Sequence, residues 1–428
     1  MRAEDKKQGL TLCVAGGGAA GLAAAIEAAR TFQRAGRPGS VFLLERMPRV
    51  GKKLLVTGNG RCNLTNRYAS PRNYFEAADF VRPALSRFSV EDTLSFFASM
   101  GLLCEEEEEG RIYPMSRQAA SVLDALRLEA ERLRVIFQCD TQVKKIKRMA
   151  KGDTPFFQLN DIFFADAVIL ACGGRAAPQQ GSDGSGYALL HEQGIPVTRV
   201  APSLVQLTTE PGLVKALKGM RVRGEIALYN KENQKIAKQS GEIQFTEYGL
   251  SGIAAMQLSR LVSREKKSGM YALIDLLPVF SQGQAAGYLE GRIRHAPSLA
   301  VEHLLTGILP KRVGQALLKQ AGIAPLSRPS GSLLSREIAL LAAMLKGWRF
   351  PLTGTRGFAD AQVTTGGAQR SAFSPDTLES LAVPGLYAAG ELLDVDAGCG
   401  GFNLQWAWSS GRLAGRSAAQ KLIDKMDF

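Results

Sequence analysis

Leu10-Thr11-Leu12-Cys13-Val14-Ala15 runs straight into Gly16-Gly17-Gly18-Ala19-Ala20-Gly21, and from there into Leu22-Ala23-Ala24-Ala25-Ile26-Glu27-Ala28-Ala29-Arg30. Five of the first six residues are apolar, as a strand buried on both faces requires. The last nine are strong helix formers, so the stretch reads as strand, tight turn, helix. The G-x-G-x-x-G spacing gives each glycine a separate task. Gly16 makes the turn, Gly18 lets backbone approach a pyrophosphate, and Gly21 allows close packing of helix on strand, with the phosphates at the positive helix N-terminus. A second apolar run, Val41-Phe42-Leu43-Leu44, ends in Glu45, 24 residues after Gly21. A carboxylate there can accept hydrogen bonds from ribose hydroxyls.

Working outward, Ala165–Leu170 (ADAVIL) is a third candidate strand, followed by Ala171-Cys172-Gly173-Gly174. Near the C-terminus, Gly385-Leu386-Tyr387-Ala388-Ala389-Gly390-Glu391 predicts a fourth, delivering Glu391 and Asp394. Gly398-Cys399-Gly400-Gly401-Phe402-Asn403 then leads into a helix from about Leu404 to Leu422. A helix that starts after a glycine-rich turn offers free N–H groups to a flavin or its phosphates. A nicotinamide dehydrogenase would continue to a self-contained catalytic domain, so three glycine-rich signatures far downstream favour FAD over NAD as the resident dinucleotide.

Composition narrows the remaining classes. The 428 residues are 45% hydrophobic and 22% charged, enough for two or three domains. The 45 glycines, about one residue in ten against ~7% on average, fall in clusters. Six cysteines (Cys13, Cys62, Cys104, Cys139, Cys172, Cys399) form no C-x-x-C pair, which argues against a zinc site and a disulfide framework and for a reducing cytoplasm. With only His191, His295 and His303, histidine-based hydrolysis is disfavoured. Lys6 and Lys7 before the run Leu10–Ile26 imitate a targeting signal, but Glu4, Asp5 and four glycines spoil it, and no stretch is long and apolar enough to span a bilayer. The expectation is a soluble protein with no membrane partner.

Charge is unevenly distributed. The 160 residues from Ile195 to Gly354 carry 21 Lys/Arg against 10 Asp/Glu, whereas the rest of the chain carries 32 against 30. A basic inserted region could attract an anionic substrate, an NAD(P)H phosphate or nucleic acid, although solvated faces are the ordinary explanation. No RNA-binding motif and no aromatic platform accompanies the charge, so nucleic acid is the less favoured partner. Glu105–Glu109 reads as a solvated acidic loop, and Trp406 and Trp408 as core residues of the last helix.

Several long runs together resemble the BaiN/YhiN-type flavoproteins, also labelled aminoacetone oxidase-like FAD-binding enzymes. They are GGGAAGL, GKKLLVTGNGRCNLTN (Gly51–Asn66), GRIYPMSRQAASVLDAL (Gly110–Leu126), the ACGG turn, TEYGLSGIAAMQLSR (Thr246–Arg260) and AGELLDVDAGCGGFNLQWAWSSG (Ala389–Gly411). Two mild departures are Ala19, often proline in the family, and Phe402, often tyrosine. Cys399 sits at a variable point of its motif, so no role carries over to it. The resemblance implies an α/β fold: a Rossmann-like FAD-binding domain of the two-dinucleotide-fold type (residues 9–194 and 355–428), interrupted by a β-barrel-like domain (195–278 and about 346–354) and a small helical domain (279–345).

The expected cofactor-binding set is Gly16, Gly18, Ala19, Ala20, Gly21, Glu45, Arg46, Lys53, Gly60, Arg61, Cys62, Asn63, Ala171, Gly173, Gly390, Glu391, Gly401, Phe402 and Asn403. No catalytic residue and no metal ligand is assigned. Arg61 is the cation expected near the flavin or pyrophosphate, the competing reading being that it ties its loop to a surface acid. Cys62 lacks a second cysteine nearby and is read as packing near the flavin. The implied activity is two-electron flavin redox chemistry on a small-molecule substrate. One branch is NAD(P)H-dependent reduction of an activated C=C bond, with NAD(P)H as a transient co-substrate. The other is oxidation of an amine or amino acid by O₂. An RNA-acting flavoprotein is a lesser alternative. The substrate's identity and the oligomeric state are left open.

Overall fold

The computed structural model describes residues 9–151, 154–265 and 269–425; the basic start at Lys6 and Lys7 lies outside them. The described chain forms two compact units, one made of the residues up to Ala201 together with those from Gln362 onward, the other of Pro202–Ala361.

The first unit is built on a five-stranded, all-parallel sheet. Its spatial order is Leu386–Ala388, Ala167–Leu170, Leu10–Ala15, Gly39–Leu44, Ile136–Gln138. The central strand is buried along almost its whole length, which is why it reads as an apolar run with Thr11 as its one polar residue. The helix Ala19–Arg34 follows it directly, and the C-terminal helix Phe402–Asp424 lies against that helix. The crossing is unusually close: a Cβ at Gly411 would lie 2.3 Å from the Ala20 carbonyl oxygen, and one at Gly415 2.2 Å from that of Ala24.

A charged cluster is buried at the same crossing. Glu27 is 1% exposed and accepts hydrogen bonds from Arg412 (3.1 Å), Arg416 (2.8 Å) and Arg34 (2.8 Å). Burial pushes the Glu27 carboxyl up, but the three guanidinium groups outweigh it and hold the group below the usual carboxylate range.

The second unit is a closed six-stranded barrel of Leu207–Thr209, Gly249–Ser251, Lys235–Phe245, Arg221–Tyr229, Tyr271–Asp275 and Trp348–Thr355. In the last strand Trp348, Phe350 and Leu352 are buried and alternate with exposed Arg349, Pro351 and Thr353, the period of two that a half-buried strand shows.

Several expectations are corrected. The helices Gln282–His295, Lys311–Gln320 and Ser335–Lys346 form no core of their own: Leu289, Leu317, Leu341 and Leu345 are buried in one cluster with Ile226, Phe245 and Phe350 of the barrel. The units divide at Ala201 and Ala361 where the sequence suggested 194 and 354. Hydrogen bonds explain the shift. Thr198 donates from its N–H to the Gly367 carbonyl (2.8 Å), holding 195–201 in the first unit. The Arg356 N–H donates to the Gln206 carbonyl (2.9 Å), keeping 355–361 with the barrel.

The acidic run is no free loop either. Cys104–Glu106 is a strand paired antiparallel with Arg111–Pro114, and arginines line its carboxylates: Arg117 on Glu105, Arg67 on Glu106, Arg61 on Glu107 and Arg111 on Glu109. Trp406 and Trp408 are core residues, as expected.

Candidate functional site

The three glycines of the first turn separate by what surrounds them. A Cβ at Gly16 would lie 2.4 Å from the Ala171 carbonyl oxygen, and one at Gly21 only 1.8 Å from that of Gly16, so both positions are closed by packing. Gly16 also has a φ of +108°, open to glycine and costly for other residues. At Gly18 a Cβ would meet nothing within 4 Å. That open space lies in front of the first turn of Ala19–Arg34, where no side chain caps the free N–H groups and no acidic residue stands. An anion finds an uncontested helix N-terminus there.

Glu45, buried at the end of its strand, accepts from the Gly17 N–H (2.7 Å) and the Met47 N–H (2.7 Å), so it ties the glycine turn to the strand that follows. An ionised carboxylate has about four lone-pair directions, and two are used here, leaving capacity for a ribose hydroxyl. Removing this carboxylate therefore does more than the sequence suggested. We expect Glu45→Ala to lower the stability of the cofactor-free protein by about 1–3 kcal/mol, because two backbone donors lose their acceptor, and to weaken FAD as well. Unfolding curves of the cofactor-free protein and an FAD titration check both parts. Arg46, next in sequence, is paired with Asp183.

On the other side of the first strand, Ala171 donates its N–H to the Ala15 carbonyl (2.8 Å), and Gly173, at φ +72°, begins the turn away from the sheet. Gly390 closes against the first helix, its Cβ position 2.7 Å from the Ala20 Cβ. It is held by Ser410 Oγ, which accepts its N–H at 2.9 Å, and by Trp406, whose indole donates to its carbonyl at 3.1 Å. The fold brings Lys53 and Glu391 together across 338 residues: Lys53 Nζ donates to Glu391 Oε2 at 2.6 Å. Glu391 Oε1 accepts the Thr364 N–H (2.8 Å), and Thr364 Oγ1 accepts the N–H groups of Arg175 and Ala176.

Gly401, at φ +98°, precedes the C-terminal helix, which begins at Phe402, two residues earlier than expected, and carries no side-chain cap and no acid in its first turn. The Asn63 amide bridges to this turn, donating to the Thr65 carbonyl (3.1 Å) and accepting the Gly401 N–H (3.2 Å). Asn403 braces it from the other side, accepting the Ala397 N–H at 3.0 Å and donating to the Ala397 carbonyl at 2.9 Å. The Phe402 carbonyl accepts the Tyr74 hydroxyl at 2.9 Å.

Gly60, at φ +83°, has open space before it, and its neighbour Arg61 is committed elsewhere. Arg61 donates to both Glu107 oxygens (3.1 and 3.2 Å), and its guanidinium sits 4.3 Å from the Tyr113 ring centroid. This is the loop-tying arrangement. With a side chain 40% exposed, the pair is worth little: Arg61→Ala is expected to cost about 0.5–1 kcal/mol in chemical denaturation and to leave the rate of flavin reduction unchanged. A large fall in that rate would restore the catalytic-cation reading. Cys62 is fully buried and its thiol is pushed up to about 12 by burial, so it stays protonated and inert at neutral pH.

The residues present fit FAD: an uncapped helix N-terminus with space before it for a pyrophosphate, a buried carboxylate with spare acceptor capacity at the end of the next strand, and a second uncapped helix start bordered by Asn63. Thr364 and the Gly181–Gly186 run were missed in the sequence, although that run (GSDGSG) repeats the glycine-rich signature. Among the described residues no group of histidine, cysteine and acidic side chains could hold a metal ion, and no helix is long and apolar enough to cross a membrane.

Comparison with known proteins agrees with this geometry. A 3-dehydro-bile acid delta(4,6)-reductase of Clostridium scindens is 41% identical over 413 residues, 95% of this chain and 98% of that protein. The ribosomal RNA dihydrouridine synthase of Escherichia coli is 30% identical over 400 residues, 93% of this chain and 95% of that protein. The solved structure of the 3-ketosteroid delta1-dehydrogenase of Sterolibacterium denitrificans shares the fold, with a TM-score of 0.52 at 14% identity, over 97% of this chain and all of that one. Residues 10–417 match the family described as HI0933-like protein Rossmann domain. With the glycine turn, the parallel sheet and the two uncapped helix starts in place, the chain belongs to the HI0933-like Rossmann-domain family and carries its FAD-binding fold.

Proposed function

We propose that this chain is an FAD-dependent reductase that adds two hydrogens across a carbon–carbon double bond conjugated to a carbonyl, in a small organic molecule of the unsaturated bile-acid type. The observation that carries the reading is the 41% identity with the bile-acid reductase, which extends over 95% of this chain and 98% of that protein. The second relative's name describes the same kind of reaction on another carrier, since dihydrouridine is uridine with its ring double bond saturated. The two names agree on the reaction and differ on the substrate, and both speak for reduction over amine oxidation.

FAD, when bound, supplies the two-electron hydride chemistry at N5. The chain's part is to bind and orient. Glu45 and the free N–H groups of Ala19 and Ala20 hold the adenosine diphosphate half, while Lys53, Glu391 and the turn at Gly401 border the other half. NAD(P)H is the proposed donor, docking transiently, because no second G-x-G-x-x-G run occurs between Cys172 and Gly354. The basic inserted region suits an anionic substrate. All six cysteines are unpaired, in keeping with a reducing cytoplasm.

A second reading, action on RNA, gains from the 30% identity to the ribosomal RNA enzyme and from the same basic region, which weakens the expectation that nucleic acid is an unlikely partner. Anaerobic mixing of the yellow protein with NADH or NADPH tests the donor: its colour should bleach. Subsequent addition of either a conjugated 3-oxo bile acid or a ribosomal RNA transcript tests the acceptor. Colour returning with RNA alone would transfer the proposal to the second reading, and a protein that no nicotinamide bleaches would remove the donor assignment.

A further inference from the structure

The segment Gly181–Ser185 contains a hydroxyl that the fold leaves without a partner. Ser182 is 5% exposed, and its Oγ makes no hydrogen bond. Leaving a buried hydroxyl unpaired is costly, so buried polar groups of native proteins are nearly always satisfied, by protein, water or ligand. Here the position of the orphan is informative. A Cβ at Gly173 would lie 3.0 Å from Ser182 Oγ, and one at Gly181 would lie 3.9 Å from Glu45 Oε1. The hydroxyl therefore stands beside the Gly173 turn, and the residue before it borders the Glu45 carboxylate, both at the proposed adenosine end.

The surroundings hold it there. Arg46, next to Glu45, pairs with Asp183, next to Ser182, so one ion pair ties the two segments together. Asp183 Oδ1 also accepts the Ser185 N–H at 3.0 Å, fixing the turn. Burial pushes the Asp183 carboxyl up, but Arg46 and the Ser185 hydrogen bonds outweigh it and hold the group below its ordinary value, so it stays ionised and keeps the pair intact at neutral pH. The result is a carboxylate with spare acceptor capacity and an unsatisfied hydroxyl on two neighbouring segments that the Arg46–Asp183 pair holds together.

We propose that Ser182 is a cofactor-contacting residue whose Oγ hydrogen-bonds one hydroxyl of the adenosine ribose while Glu45 accepts from the other. A vicinal diol presents two donor–acceptor groups about one bond apart, and a carboxylate paired with a hydroxyl matches it without placing a second negative charge near the pyrophosphate. The proposal rests on the FAD reading of the site and makes no claim about the substrate.

The full-length chain stripped of flavin is titrated with FAD, ADP, 2′-deoxy-ADP and 3′-deoxy-ADP, as wild type and as Ser182→Ala. Because no protein group bonds the hydroxyl, flavin-free S182A should melt at the wild-type temperature or slightly above it. It should bind FAD and ADP about 10-fold more weakly, in line with one lost hydrogen bond to a buried group. Against the deoxy analogue that lacks the contacted hydroxyl, wild type and S182A should bind equally, and against the other the 10-fold gap should persist. Equal affinity of the two proteins for ADP overturns the proposal, as does the same loss for ADP and both analogues, which would move the contact to the base or phosphates. A lowered melting temperature without flavin overturns it too, by showing that the hydroxyl has a structural partner. A wild-type chain that takes up neither FAD nor ADP overturns the FAD reading itself, and this assignment with it.

Discussion

Gly18→Val should give a folded protein that binds no FAD, whereas Gly21→Val should give a protein that barely folds. The two positions are three residues apart in one motif, and a motif match alone would assign both changes the same loss. The contrast comes from what each added side chain meets. At Gly18 a Cβ enters open space in front of the helix N-terminus, so the cofactor-free structure tolerates it and only the approaching pyrophosphate collides with it. At Gly21 the Cβ would sit 1.8 Å from the Gly16 carbonyl oxygen, and no rotamer relieves a clash with backbone. Overpacking of a core side chain typically costs about 1–3 kcal/mol, and a backbone collision where the first helix meets the turn after the central strand should exceed that. Chemical denaturation of the two flavin-free variants, followed by FAD titration, separates the outcomes. Retained FAD binding in Gly18→Val would show that the pyrophosphate lies elsewhere.

The second large effect is expected at Glu27, outside the expected cofactor-binding set but at the crossing of the helices Ala19–Arg34 and Phe402–Asp424. Removing the carboxylate in Glu27→Ala leaves Arg412, which is itself almost buried and lies 4.1 Å from the Phe88 ring centroid, without its counter-charge. Breaking a buried ion pair from one side costs about 3–5 kcal/mol. Replacing both Glu27 and Arg412 by methionine should cost much less than the two single changes together, since no charge is then stranded. The pH dependence has a definite sign. The folded state holds the Glu27 carboxyl below its unfolded value, so its contribution is present above the unfolded carboxylate pKa of about 4.3 and is lost as pH falls through the folded one. The stability gap between wild type and Glu27→Gln should therefore be full at neutral pH and shrink in acid. A gap that widens in acid would contradict the ion-pair account.

Much of this was legible in the chain because the relevant signals are local. The run Leu10–Gly21 specifies strand, turn and helix within twelve residues, and Glu45 follows at the right separation. The glycine turns at Gly173, Gly390 and Gly401, all at positive φ, were legible for the same reason. What the sequence concealed is long-range pairing. Nothing near Arg61 announces that Glu107 will reach it, and a run of five acids looks solvated until the hairpin Cys104–Pro114 sets arginines against it. The Lys53–Glu391 pair joins residues 338 apart, and the Glu27 cluster takes two of its three arginines from the last helix. The helical stretch after Pro278 looked self-contained because its periodicity reports amphipathic faces and not their partners, which proved to be barrel residues. Ser182 was missed for a further reason: an unsatisfied hydroxyl is a property of three-dimensional surroundings and leaves no trace in residue spacing.

The central claim is reduction of a conjugated carbon–carbon double bond on bound FAD, and the most direct measurement of it follows the acceptor. The flavin of the purified protein is reduced under strict anaerobiosis, excess donor is removed, and the protein is mixed in a stopped-flow cell with a 3-oxo bile acid carrying conjugated double bonds. The account predicts that the yellow absorbance returns in a saturable, substrate-dependent phase, with one double bond lost per flavin reoxidised. A flavin that stays reduced with every conjugated carbonyl compound offered, yet is promptly reoxidised by O₂ after reduction by an amine, would contradict it.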